Sequence, residues 1–170
     1  MEIKKATVVY ILKENRKRVL MIEGIKTYAP HYGKYNGVGG KFEPIDDENP
    51  EACATREVEE ESGYTAEELN LIGKIRSTGM FPEKEFIVYY YTCEKFSGEQ
   101  REDPEQGPLV WAEIGEDGLP DVPILDGDKI FFPWIMADKK FEATFYYNDR
   151  EYLRHEVTFK ETEIPKFDKR

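Results

Sequence analysis

Runs of β-branched and aromatic residues, several of them alternating with a period of two, recur along this chain and predict strands. Ala6 to Leu12 is one, and a charged turn from Lys13 to Arg18 leads to Val19-Leu20-Met21-Ile22 as its antiparallel partner. Period-two runs from Asn70 to Met80 and from Glu85 to Lys95 predict two long strands, and Leu109 to Ile114 predicts a shorter one. Phe141 to Tyr147 and Glu151 to Phe159 face each other across Asn148-Asp149, the pattern of a hairpin.

Two segments are punctuated as helices instead. Asn49 is a good N-cap, Pro50 falls where its missing N–H costs nothing, and Gly63 suits a left-handed stop, so about three and a half turns are bracketed between them. A second helix is predicted from an Asp126 N-cap to about Ala137, with Pro133 inside it as a kink or boundary. Thr65 to Leu69 reads as a short helical turn. Gly24 to Lys34 reads as a mobile surface loop or a substrate lid, Ser97 to Pro108 and Gly115 to Pro123 as connections, and residues 161–170 as a frayed tail. Strands before, between and after two helices predict a mixed α/β (α+β) fold, a central sheet between helices, in a single domain over residues 1–160.

At 170 residues the chain is long enough for a sizeable core, and 39% hydrophobic with 14% aromatic content supports one despite 35% charged residues. The formal net charge of −11 disfavours a nucleic-acid polymer as partner but leaves a metal-chelated nucleotide admissible. Cys53 and Cys93 lie far apart with no CxxC or Cys/His grouping, so they read as buried free thiols and suggest neither zinc nor a disulfide framework. No stretch approaches the roughly 18 apolar residues of a membrane span, and the N-terminus is a strand pattern, so a cytoplasmic setting is expected.

The chemistry concentrates on the first helix. Glu57, Glu60 and Glu61 stand at i, i+3 and i+4, which places three carboxylates on one face. Each like-charge pair costs roughly 0.2–0.5 kcal/mol in an isolated helix, so the face is either a solvated acidic surface or a seat for a cation. Magnesium, which takes oxygen ligands and is commonly held by carboxylates together with substrate phosphates, suits such a seat. The glycines of Gly37-Val38-Gly39-Gly40 ahead of it allow close backbone approach to a phosphate, or simply a tight turn.

Gly40, then Glu48, then Arg56-Glu57-Val58-Glu59-Glu60-Glu61-Ser62-Gly63-Tyr64 resembles the Nudix box, G-x5-E-x7-R-E-U-x-E-E-x-G-U, with U bulky and apolar. Every fixed letter is present from Glu48 onward. Seven residues, Lys41 to Asp47, separate Gly40 from Glu48 where the pattern has five, a loop insertion ahead of the helix. The resemblance extends from about Lys5 to Phe159 and is greatest to the MutT-like oxidised-purine nucleoside triphosphatases. Thr7, Lys34-Tyr35-Asn36-Gly37-Val38-Gly39-Gly40-Lys41 and Leu125-Asp126-Gly127-Asp128 to Pro133-Trp134 follow their order and spacing.

What the resemblance implies is a Nudix sandwich that hydrolyses a nucleoside triphosphate, such as 8-oxo-dGTP, to the monophosphate and pyrophosphate with Mg2+ or Mn2+. Glu57, Glu60 and Glu61 would hold the metal, joined by Glu48, and Arg56 would orient a carboxylate. Gly39, Gly40 and Lys41 would meet phosphate; Asn36, Asp126 and Asp128, with Thr7, would meet the base. Residue preference alone makes Asp126 a helix cap and Asn36 a turn residue. Leu125 and Tyr35 stand where that subfamily has Trp, which leaves Tyr28, Tyr32, Phe131 or Trp134 as stand-ins for a stacking platform. Glu105 is a weak match to a further acidic ligand, and His31 and His155 read as peripheral or structural. A hydrolase of another nucleoside diphosphate derivative (ADP-ribose, a nucleotide sugar, a dinucleoside polyphosphate) and a catalytically silent Nudix module are the alternatives.

Overall fold

A computed structural model describes residues 1–160 of the chain. Its strands are β1 (Glu2–Lys13), β2 (Arg18–Glu23), β3 (Tyr35–Asn36), β4 (Val38–Lys41), β5 (Tyr64–Thr78), β6 (Lys84–Gly98), β7 (Leu109–Glu113), β8 (Phe141–Asn148) and β9 (Glu151–Phe159). Two α-helices interrupt them, α1 (Pro50–Ser62) and α2 (Asp128–Met136), and a 3-10 turn covers Pro44–Asp46. The sheet runs β3-β2-β1-β6-β5-β8-β9, with β4 on β1 and β7 on β2. It is mixed, because β1 pairs parallel with β6 and β5 parallel with β8 while the other ladders are antiparallel.

β1 explains the layering. Its residues from Thr7 to Leu12 are buried on both faces, as befits a central strand. Val8, Tyr10 and Leu12 point into a cluster with Phe131, Phe132 and Ile135 of α2, whereas Val9 and Ile11 point the other way to Ala54 and Val58 of α1. One helix therefore covers each face, the mixed α+β sandwich expected from the sequence. Fully burying each large apolar side chain here contributes about 1.5–3 kcal/mol, so both helices are held by packing more than by propensity.

Three local expectations change. Thr65 to Leu69 belongs to β5: its helix-forming residues are drawn into pairing with Lys95 to Gly98, through register shifts at Ala66/Glu68 and Glu68/Asn70, while Tyr64 packs on Phe96 and Trp111. Correspondingly β6 runs on to Gly98, shortening the acidic connection. Asp126 does not cap α2. The helix begins at Asp128 after Gly127, its early N–H groups reach the carbonyls of Leu125 and Gly127, and Asp126 is exposed in an ion pair with Lys129 at 3.2 Å. α2 does run through Pro133 to Met136, close to the end expected near Ala137. Residues 161–170, expected as a tail, lie outside the described residues. No described helix is long and apolar enough to cross a membrane, and both cysteines are buried free thiols.

Candidate active site

α1 forms where its punctuation predicts. The Asn49 side chain accepts from the N–H groups of Glu51 (2.9 Å) and Ala52 (3.2 Å), Pro50 opens the helix, and Gly63 at φ 84° closes it. Its buried stripe is Cys53, Ala54, Glu57, Val58 and Ser62, so a carboxylate has been carried into the seam between helix and sheet. That seam is β4. A Cβ on Gly40 would stand 2.5 Å from Glu57 Oε1, so any side chain there would push this carboxylate from its place. One turn on, Glu61 Oε1 accepts the Gly39 N–H at 2.6 Å.

Arg56 gathers the remaining charge. Its Nε and Nη2 donate to the two oxygens of Asp46, each at 2.9 Å, and its Nη1 lies 2.6 Å from Glu43 Oε2, 2.9 Å from Glu57 Oε1 and 3.1 Å from Glu60 Oε2. Carboxylate oxygens of Glu43, Glu57 and Glu60 all fall within 4.8 Å of one another. One guanidinium cannot neutralise four carboxylates, with Glu61 alongside as a fifth, and the surplus negative charge on hard oxygen donors fits a divalent cation such as Mg2+.

The titration behaviour follows from these contacts. Arg56 holds the Asp46 carboxyl down at about 2, chiefly through their hydrogen bonds, and is itself raised by them. Burial raises Glu57 against the pull of Arg56. Burial also pushes Glu61 up to about 8, with the charges of Glu57 and Glu60 adding to it and the Gly39 N–H opposing it.

On the opposite face of β4 lies a cleft of about 250 Å³, lined in part by Thr7, Asn36, Gly39, Gly40, Lys41 and Asp128. Six of the seven residues expected at a substrate are thus brought together, and Asp126 is not. The Thr7 hydroxyl is engaged with Cys53 Sγ at 3.3 Å beneath the strand. Asn36 Oδ1 accepts from the Gly37 N–H (2.8 Å) and from Tyr10 Oη (3.4 Å), which turns its Nδ2 donors outward, 3.5 Å from His31 Nε2. Asp128 is 6% exposed, and His31 Nε2 at 3.9 Å is the cation-forming group nearest to it. Burial, then the charge of Asp128, raises the hydroxyls of Tyr10, Tyr90 and Tyr147, keeping them protonated around it.

Several expectations are thereby sorted. Glu48 is exposed and pairs with Lys5 at 3.0 Å, away from the carboxylate cluster, and Glu105 sits in an exposed turn outside that cluster. Of the aromatic stand-ins only Phe131 lines the cleft; Tyr28 and Tyr32 are exposed, and Trp134 packs on Phe141 and Phe159. The walls come instead from Phe81 and Phe86, 5.2 Å apart, with Met80 and Leu125. Phe86, Val88 and Tyr90 alternate along β6, so period two could have flagged them as one face. Asp46, Glu43 and His31 are the other residues that the sequence did not single out for the site. His155 is structural, stacked on Phe145 and bonded to Tyr152 Oη at 2.6 Å.

A sheet with one helix on each face, a glycine strand over a helical glutamate cluster, and an arginine bound among the carboxylates together define a class, and the chain belongs to the Nudix family: the NUDIX domain matches residues 3–134. Among individual proteins it is 31% identical over 136 residues to the oxidized purine nucleoside triphosphate hydrolase of Danio rerio, covering 80% of this chain and 83% of that one. It is 29% identical to the Mus musculus protein of the same name, covering 85% and 87%. The fold matches the crystal structure of a MutT protein from Bacillus halodurans with a TM-score of 0.75 at 24% identity, over 91% of this chain and 97% of that one. The chain is accordingly a Nudix hydrolase.

Proposed function

We propose that this hydrolase converts a purine nucleoside triphosphate, with an oxidised purine such as 8-oxo-dGTP preferred, to the monophosphate and pyrophosphate in a divalent-metal-dependent reaction. The observation that carries the reading is the position of β4. Its Gly39 and Gly40 line the base cleft on one side and touch Glu61 and Glu57 on the other, so one nucleotide can lay its base and its phosphates across the same four residues. The relatives named as oxidised purine nucleoside triphosphate hydrolases supply the base class.

Bound Mg2+ or Mn2+ would neutralise charge developing on phosphate oxygens and lower the pKa of a bound water. Glu57 and Glu60, with Glu43 and Glu61, supply the oxygens to hold it. Arg56 orients Glu57 through Nη1. Glu61 keeps Oε1 on the Gly39 N–H, which leaves its other oxygen beside the cluster, where a carboxylate can take a proton from the attacking water. Lys41, at the mouth of the cleft, provides a cation for the phosphates.

At the base end, Asn36 Nδ2 offers a donor and Asp128 an acceptor. A purine edge with a carbonyl beside ring and amino N–H groups complements that pair, while Phe81 and Phe86 wall its faces. The cleft volume of about 250 Å³ falls below the roughly 300–1,000 Å³ of sites for drug-sized ligands, which suits one base rather than the two nucleosides of a dinucleoside polyphosphate.

The test is steady-state pyrophosphate release at matched Mg2+ from 8-oxo-dGTP, dGTP, dATP and dCTP, with ADP-ribose and diadenosine polyphosphates as competitors. The highest kcat/KM is expected on 8-oxo-dGTP. A preference for ADP-ribose, or no Mg2+-dependent release from any triphosphate, would overturn it.

A further inference from the structure

The loop that precedes α1 departs from the box spacing, and its geometry redistributes the roles within it. Pro44–Asp46 forms a 3-10 turn in which the Glu43 N–H donates to Asp46 Oδ2 at 2.8 Å, so the Asp46 carboxylate is turned inward and only 3% exposed. The chain then passes through two successive left-handed residues, Asp47 at φ 49° and Glu48 at φ 61°. For residues other than glycine this conformation is uncommon, and here it turns the chain so that Glu48 faces outward onto Lys5.

We infer that Asp46, and not the box glutamate Glu48, is the positioning residue of the metal site. A guanidinium is planar and presents its donors in a fixed fork, so binding two of them fixes the direction of the third. Asp46 takes Nε and Nη2 of Arg56 side-on, at 2.9 Å each. The plane so fixed delivers Nη1 to Glu43, Glu57 and Glu60. Asp46 thereby acts on Glu57 through Arg56, and it holds the turn that presents Glu43. Glu48 has one exposed partner, Lys5, and no contact with Arg56 among the described residues. The inserted residues have moved the carboxylate that serves the arginine two positions toward the N-terminus.

This inference rests on the metal-dependent reading above, and its test is binding of Mn2+ alone, with free Mn2+ followed by electron paramagnetic resonance. The proteins compared are wild type, Asp46→Asn, Glu48→Gln, Glu57→Gln and the Asp46→Asn/Glu57→Gln double variant. The asparagine keeps the shape and one acceptor, so the fold is expected to survive, and thermal melts at neutral pH check that it does. Asp46→Asn should weaken Mn2+ binding about 10-fold or more, in the range for residues that orient metal ligands, while Glu48→Gln should stay within about two-fold. In the Glu57→Gln background the Asp46→Asn effect should shrink, because the part routed through Glu57 is gone and only that through Glu43 and Glu60 remains; a contribution merely to folding would persist undiminished.

Wild-type affinity in a folded Asp46→Asn, an undiminished effect in the Glu57→Gln background, or an equal loss in Glu48→Gln would each overturn the assignment while leaving the metal site intact. Wild-type protein lacking any Mn2+ site sensitive to Glu57→Gln would overturn the metal reading, and this inference with it.

Discussion

The two sides of β4 are built differently. On the helix side, everything from Gly39 to Gly63 is one continuous stretch, and its geometry follows from local rules: a cap, a proline, a helical repeat and a left-handed stop. On the cleft side, the lining is gathered from β1, the loop carrying His31, β5, β6, α2 and β8. Chemistry that must be the same for every substrate can be written into a short motif. Selectivity for one base can instead be assembled from separate elements that only the fold brings together.

If that division is real, changes on the two sides should leave different kinetic marks. The largest effect is expected at the helix. Glu57→Gln, which removes charge from the carboxylate under Gly40 without changing its shape, should lower kcat by about 100-fold or more with KM little altered. Stopped assays under saturating Mg2+ read this, and an unchanged kcat would remove Glu57 from the machinery.

Asp128→Ala should do the reverse. It takes away a buried acceptor from the base edge, so KM for the preferred purine should rise and discrimination between 8-oxo-dGTP and dCTP fall by about 1–3 kcal/mol, roughly 5- to 150-fold, while kcat is little changed. A variant that loses kcat but keeps its base preference would place Asp128 on the wrong side of the comparison.

The Asp46–Arg56 pair gives a smaller effect, visible in stability against pH. Its folded-state value of about 2 lies below the ordinary aspartate range near 4, so the ionised form stabilises the fold above about pH 4 and that contribution is lost as the pH falls toward 2. Wild-type melting temperature should therefore drop more steeply over that window than that of Asp46→Asn, which has no such proton to take up. Parallel curves would show that the pair is not what acid breaks.

The smallest effect belongs to Asp126→Ala. With the side chain 76% exposed and, among the described residues, paired only to Lys129, neither melting nor base selectivity should move beyond about 0.5 kcal/mol. A loss near 1 kcal/mol in stability would restore it as a helix cap.

These contrasts also explain what could be read before any coordinates. α1 was legible because Asn49, Pro50 and Gly63 carry their meaning within a few residues, and the hairpin of β8 and β9 for the same reason. Thr65 to Leu69 was misread because Ala, Glu and Leu are good helix formers, and only pairing with Lys95 to Gly98 overrides that preference. Asp126 is a good cap by residue type, but the early N–H groups of α2 donate to the carbonyls of Leu125 and Gly127 instead. The inserted loop was visible as spacing, yet nothing in its letters told which of Asp46, Asp47 and Glu48 would turn inward; that depends on two left-handed residues and on Arg56. Asn36 and Asp128 could be singled out only through resemblance to a family. His31 reads as peripheral, and Phe86 only as a strand residue, because their neighbours in the cleft are distant in sequence.

The central claim is that base binding and phosphate chemistry sit on opposite faces of one strand and can be separated. Calorimetric titration of Glu57→Gln with 8-oxo-dGMP tests it most directly, since this product retains the base but not the scissile bond. Affinity within about three-fold of wild type, in a variant that no longer turns over 8-oxo-dGTP, is the expected result. Loss of nucleotide binding in step with loss of turnover, in a folded protein, would contradict it.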